Sequence, residues 1–354
     1  MSTDLTSERE PTRARRAALR LAFGVTACFA LVEAVGWDAT FLAPLLTAQV
    51  LTKLRQPPSL SQGLALVLLI GLSTGFVLAI TKSLLSHPAA LILTLALLLY
   101  LSFYAHLRGA PNLVTLLLQI SVVSLPVLAV ASPDAAVEFA GVLVSAGFVA
   151  VLTAWVAFAV FPGDATDTAP QASAGASNVP SPPQAAREAL LNTLVLMPVL
   201  TGFVLVASEL AVVVLIVIVN LLRQHNPLQG RHAALGLILG NLIGGLAAAV
   251  VYNLILLNDT FPFFVMVCLA ATLAFAGRIA TAGQRAPIYV IALATFILLL
   301  GLGMTPLPGG SGEAFVTRLV NVLWASAYAV GAVSVLEFWR IRPTHDVPVE
   351  PSAR

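Results

Sequence analysis

Charge is what this sequence has least of. Asp, Glu, Lys and Arg make up 10% of its 354 residues, while apolar types make up 59%. Soluble domains carry about 25% charged residues. A fold of this size with so little charge would leave too much apolar surface wet, so a water-solvated domain is excluded and lipid must act as solvent. Lysine is almost missing, with only Lys53 and Lys82. Neither closes a Gly-rich loop, so the phosphate cradle that would let the chain hydrolyse ATP is absent. The two cysteines, Cys28 and Cys268, lie inside separate apolar runs. That placement excludes a disulfide framework or a Cys-based metal site and leaves two inert core thiols. His225 and His232 flank a proline without zinc-ligand spacing. The letters of a nucleophile elbow occur at Gly71-Leu72-Ser73-Thr74-Gly75, but within an apolar run that offers no strand-to-helix turn. Close helix packing is the expected role of those glycines. No cofactor, metal or enzymatic activity is expected. The net charge of +2 is spread in short runs and forms no nucleic-acid surface.

What is present is a series of apolar segments. A spanning helix needs about 20 such residues. The segments read as 18–36, 39–53, 61–82, 89–106, 112–131, 136–161, 189–207, 209–222, 232–257, 260–277, 286–304 and 314–338. The sequence thus predicts an all-α polytopic membrane protein with about twelve transmembrane or half-membrane helices. Segments 39–53 and 209–222 are short for a full crossing, and could span at a tilt or re-enter. The first segment follows Arg13, Arg15 and Arg16 but lacks a small-residue cleavage site, so it reads as an uncleaved membrane helix. Five stretches follow: an N-terminal segment 1–17, a first membrane half 18–161, a polar linker 162–187 rich in Ala, Ser and Pro, a second membrane half 188–339, and a tail 340–354.

Placing the N-terminus inside puts Lys53, Arg55, Arg108, Arg187, Arg223, Arg231, Arg278, Arg285, Arg340 and Arg342 on the cytoplasmic side. The outside then keeps only Lys82 and Arg318 and collects Asp38, Asp134, Glu138, Glu209, Asp259 and Glu313. This bias predicts a cytoplasmic membrane protein with both termini inside.

The halves resemble each other. Leu54-Arg55-Gln56 precedes Pro57-Pro58 and an apolar helix. Leu222-Arg223-Gln224 precedes His225-Asn226-Pro227 and another such helix. With one residue of slack, Gly71 and Gly75 align with Gly240 and Gly244. Arg108-Gly109-Ala110-Pro111 matches Gln284-Arg285-Ala286-Pro287. Two six-helix parallel repeats are expected.

The stretch from Gly230 to Ala247, a basic turn followed by a helix with a Gly-x-x-x-Gly pair, resembles the membrane motif of the fusaric acid resistance and aromatic acid exporter family. A weaker copy lies at Gly71 to Gly75. The larger members carry a folded cytoplasmic domain, where this chain has only the short linker. The resemblance implies efflux of aromatic or other weak organic acids, and a periplasmic adaptor of the HlyD type as partner. A non-transporting scaffold that anchors an adaptor is the other reading, and neither excludes a homo-oligomer in the lipid.

Candidate site residues follow from scarcity of polarity at depth. The expected activity is proton-coupled export of an organic anion or amphipathic compound, and proton coupling needs a carboxylate in a partly dry place. Glu33, near the end of the first helix, is the best placed, with Asp38 shortly after it and Glu209 at the corresponding corner of the second half. Short apolar segments at matching places in two halves point to a substrate site. The first carries Pro44, Thr47 and Gln49, and the second carries Asn220. Pro44 is expected to free a backbone carbonyl. Arg55 and Arg223 follow on the inner side, where both would meet a small organic anion. Gln119, Asn241 and Asn253 are further polar groups at depth, expected to hydrogen-bond between helices.

Overall fold

An apolar chain in lipid must satisfy every backbone N–H and C=O internally, which leaves the helix as the form for each of these runs. The computed structural model describes residues 3–37, 41–163, 180–206, 210–224, 230–258, 260–304, 328 and 331. Among them are eleven α-helices and no strand. They are α1 (Thr3–Val35), α2 (Leu42–Lys53), α3 (Leu60–Leu84), α4 (Pro88–Leu107), α5 (Asn112–Ala131), α6 (Pro133–Val160), α7 (Pro182–Val206), α8 (Leu210–Gln224), α9 (Gly230–Leu257), α10 (Phe261–Thr281) and α11 (Ala286–Met304). Nine are long and apolar enough to cross a membrane, so the protein is an all-α polytopic membrane protein. The expected segment 314–338 lies outside the described residues, as do Asp38 and Glu209.

Two boundaries move. Helix α1 starts well before residue 18, and α7 starts at Pro182, inside the expected linker. Gln184 reaches back to the Ser181 N–H at 3.2 Å, a first-turn contact that begins α7. Ser59 and Gln62 form the full reciprocal cap at the start of α3.

The ends of α2, α4 and α8 meet the start of α5, Arg108 reaches the Pro180 carbonyl ahead of α7, and α1 runs antiparallel to α10 through Thr26–Thr272 and Phe29–Phe264. One end of the bundle therefore gathers Lys53, Arg55, Arg108, Arg187, Arg223, Arg278 and Arg285. Glu33, Lys82, Asp134 and Glu138 sit at the other end. Helices α3 and α9 turn Leu64, Leu68, Leu72, Leu242 and Leu246 outward. Such contiguous apolar surface belongs in lipid.

The two short helices are enclosed. With 1.5 Å of rise per residue, α2 and α8 are about 18 and 22 Å long, against about 30 Å of hydrocarbon. Every residue of α2 from Leu42 to Ala48 is buried, and so is α8 from Leu215 to Leu222. Packing partners recur in the two halves. Helix α3 packs on α5, and α9 on α11; α1 packs on α10, and α7 on α4; α8 packs on α5, and α11 on α2. Each short helix thus touches a long helix of the other half.

The glycine pairs differ from expectation. A Cβ at Gly240 would sit 2.7 Å from Ile291, and one at Gly244 would strike the carbonyl of Ala292, so α9 and α11 meet through these glycines. Gly71 and Gly75 face open space. On α3 the packed positions are Ile70, Thr74, Val77 and Thr81. The register that matches Gly240 is therefore Ile70 and not Gly71. One residue of slack is about 100° of helix rotation, enough to turn a contact face to the lipid.

Candidate functional site

Helix α8 carries Asn220 and Arg223 in its last turns. Three residues apart, they share one face. That face meets α5, where Asn112, Thr115 and Gln119 form a matching stripe with spacings of three and four. The Arg223 guanidinium donates from one nitrogen to Gln119 Oε1 at 2.6 Å and Thr115 Oγ1 at 3.2 Å. The other nitrogen donates to the Asn112 side chain at 2.7 Å, the Asn112 carbonyl at 2.9 Å and Thr115 Oγ1 at 3.2 Å. Hydrogen bonds to a charged donor contribute about 1.5–3 kcal/mol each, so this set holds α8 firmly on α5.

The network extends to α2. Asn112 Nδ2 donates to Gln49 Oε1 at 2.9 Å, and Gln49 Nε2 donates to Asn220 Oδ1 at 3.5 Å. The His106 ring, at the end of α4, hydrogen-bonds to the backbone of Arg223 and lies near Lys53. Gln119 is fully buried, and its Nε2 has no hydrogen-bond partner. Three basic groups and a spare buried donor therefore converge where the halves meet.

Beside Asn220 lies a small cavity of about 20 Å³. Asn220, Asn241 and Thr295 supply its polar wall, and Leu45, Val217, Leu221 and Leu298 most of the rest. Thr295 donates to Asn241 Oδ1 at 2.6 Å, joining α11 to α9. This volume suffices for one water molecule. A polar seam thus runs from the Arg223 end of the bundle inward to Asn220, Asn241 and Thr295.

Of the residues singled out in the sequence, Gln49, Asn220 and Arg223 come together. Arg55 does not join them; it is exposed in the link after α2. Thr47 points the other way, donating to the Ala43 carbonyl at 2.8 Å and pairing with Thr153 on α6 at 2.9 Å. Pro44 lies in the first turn of α2, where an N–H has no helical partner in any case, so it opens the helix and frees no carbonyl within it. Glu33 is exposed at the opposite end. Asn241 and Gln119 do bond between helices, whereas Asn253 is exposed and donates to the Ala249 carbonyl of its own helix. The sequence reading missed Asn112, Thr115 and His106. The signal for the first two was the one-sided stripe they form with Gln119.

Residues 17–157 match the model of a family described as "Protein of unknown function (DUF2955)". No curated protein and no solved structure matches the chain. That family description names no activity, so the resemblance to the aromatic acid exporters rests on the sequence pattern, while the match places most of the first six helices beside DUF2955.

Proposed function

We propose that the chain is an inner-membrane exporter of small organic anions, aromatic and other weak acids among them, which enter from the cytoplasmic side at Arg223. The observation that carries this reading is a guanidinium held between the two halves by neutral groups. A cation in a membrane bundle is costly and is found where it faces a pathway or a partner. A planar guanidinium matches a carboxylate in two-point geometry, and Lys53 and His106 add to the attraction. The recurring helix pairings support two repeats that rock against each other about the α2, α5 and α8 contact. A periplasmic adaptor would take over the exported anion.

Cells lacking the chain and cells overproducing it, grown on a panel of aromatic acids, test the reading. Export predicts sensitivity on deletion, resistance on overproduction, and loss of that resistance in Arg223→Gln at equal membrane levels. No difference across the panel would favour the scaffold, which needs no path for a solute.

A further inference from the structure

Every hydrogen-bond partner described for the Arg223 guanidinium is neutral. Beside it stands the fully buried Gln119 amide, whose oxygen takes the shortest of those bonds and whose Nε2 has no partner. His106 Nδ1 is also unpartnered. Buried donors are nearly always satisfied, so an orphaned one beside a guanidinium marks a place made for an acceptor that comes from outside. An anion supplies both the acceptor and the counter-charge.

Among the described carboxylates, Asp4, Glu8 and Glu10 lie in the first turns of α1, ahead of the membrane span that begins at Arg13. Glu33, Asp134 and Glu138 belong to the opposite end of the bundle. Glu188, buried near the start of α7, already has an interaction partner, and it is not among the groups bonded to Arg223. No carboxylate is among the described hydrogen-bond partners of Arg223, Gln119, Gln49 or Asn220.

We infer that the site is an obligatory anion exchanger: Arg223 and Gln119 Nε2 hold one anion, and only the loaded, neutralised site changes sides. This rests on the transport reading above. Changing sides takes the guanidinium out of its bonds to Asn112, Thr115 and Gln119 and against a lining where Leu45, Val217, Leu221 and Leu298 outnumber the polar Asn220, Asn241 and Thr295. A bare cation meets a large desolvation barrier there, and an ion pair with its hydrogen bonds satisfied meets a much smaller one. The empty site therefore returns slowly, and the anion leaving one side is replaced by another from the far side.

The test uses the full chain in proteoliposomes loaded with radiolabelled benzenesulfonate, an anion with no protonated form near neutrality. Efflux is compared into buffer containing benzenesulfonate and into buffer balanced with sucrose. Exchange predicts that the external anion speeds efflux about tenfold or more. It also predicts that a potassium diffusion potential set by valinomycin leaves the rate unchanged, since one-for-one exchange is electroneutral. Gln119→Glu keeps the shape of the amide but gives Arg223 a built-in counter-charge. It is expected to abolish the stimulation while the protein unfolds at the wild-type temperature. Equal efflux into both buffers, or full replacement of the external anion by a proton gradient, would overturn exchange and leave transport standing. No flux of benzenesulfonate or of salicylate in either buffer would remove the transport reading, and exchange with it.

Discussion

Arg223 of α8 donates to Gln119 of α5 at 2.6 Å, across the boundary between the first six helices and the rest. The contact is the shortest of five from one guanidinium, and it ties a short enclosed helix to the most deeply buried long one. Lysine at this position keeps the charge but loses the fork that serves Gln119, Thr115 and Asn112 together. Arg223→Lys is therefore expected to lower the unfolding temperature in detergent and to slow anion efflux. Leaving acceptors unmet costs about 1–3 kcal/mol each. Circular dichroism melts of the purified variant check the first effect, and flux from proteoliposomes checks the second.

The glycines of α9 and α3 give a paired prediction. Gly244→Ala drives a methyl into the Ala292 carbonyl and within 2.9 Å of Thr295, so it should destabilise by about 1–3 kcal/mol. Gly75→Ala meets open space and should be neutral or stabilising by up to about 1 kcal/mol, since alanine is the better helix former. Melting both variants side by side tells the packed face from the lipid face. Equal losses would contradict the assigned register.

Thr295→Val keeps the volume and removes the hydroxyl that donates to Asn241. Hydrogen bonds between membrane helices are worth about 0.6–1.7 kcal/mol, so the loss in stability should fall near 1 kcal/mol. An unfolding titration of purified protein in mixed micelles measures it.

Cys28 and Cys268 are both fully buried. The native protein should not react with a membrane-impermeant maleimide until it is unfolded. Glu33→Cys and Gln56→Cys add exposed thiols at opposite ends of the bundle. Labelling of intact cells and of inverted vesicles should reach one each, with Gln56→Cys modified only from the cytoplasmic side.

The helices themselves were legible because a bilayer permits an apolar run little else. The two short segments were legible too, as shortness is visible in the letters. Arg55 and Arg223 share the triplet Leu-Arg-Gln, yet only Arg223 enters the site. The distance to the next proline explains why. Pro57 follows Arg55 by two residues, and Pro227 follows Arg223 by four. A proline disfavours helix in the residue before it, and α2 stops at Lys53 while α8, with its proline farther off, carries its arginine to Gln224. The α5 stripe was readable as a face, but nothing local names the partner of that face. It is set by packing between residues more than a hundred positions apart, which periodicity alone does not encode. Gly71 and Gly75 failed for a related reason, as an alignment with one residue of slack loses the angle that decides what a helix touches.

The central claim is that the anion path begins at Arg223 and not at the basic end in general. The most direct measurement is efflux of an aromatic carboxylate from cells lacking the native chain and complemented with wild type, Arg55→Gln or Arg223→Gln, at equal membrane levels. The account predicts that Arg55→Gln exports at close to the wild-type rate, while Arg223→Gln loses about tenfold or more. Equal export by the two variants, or a larger loss in Arg55→Gln, would contradict it.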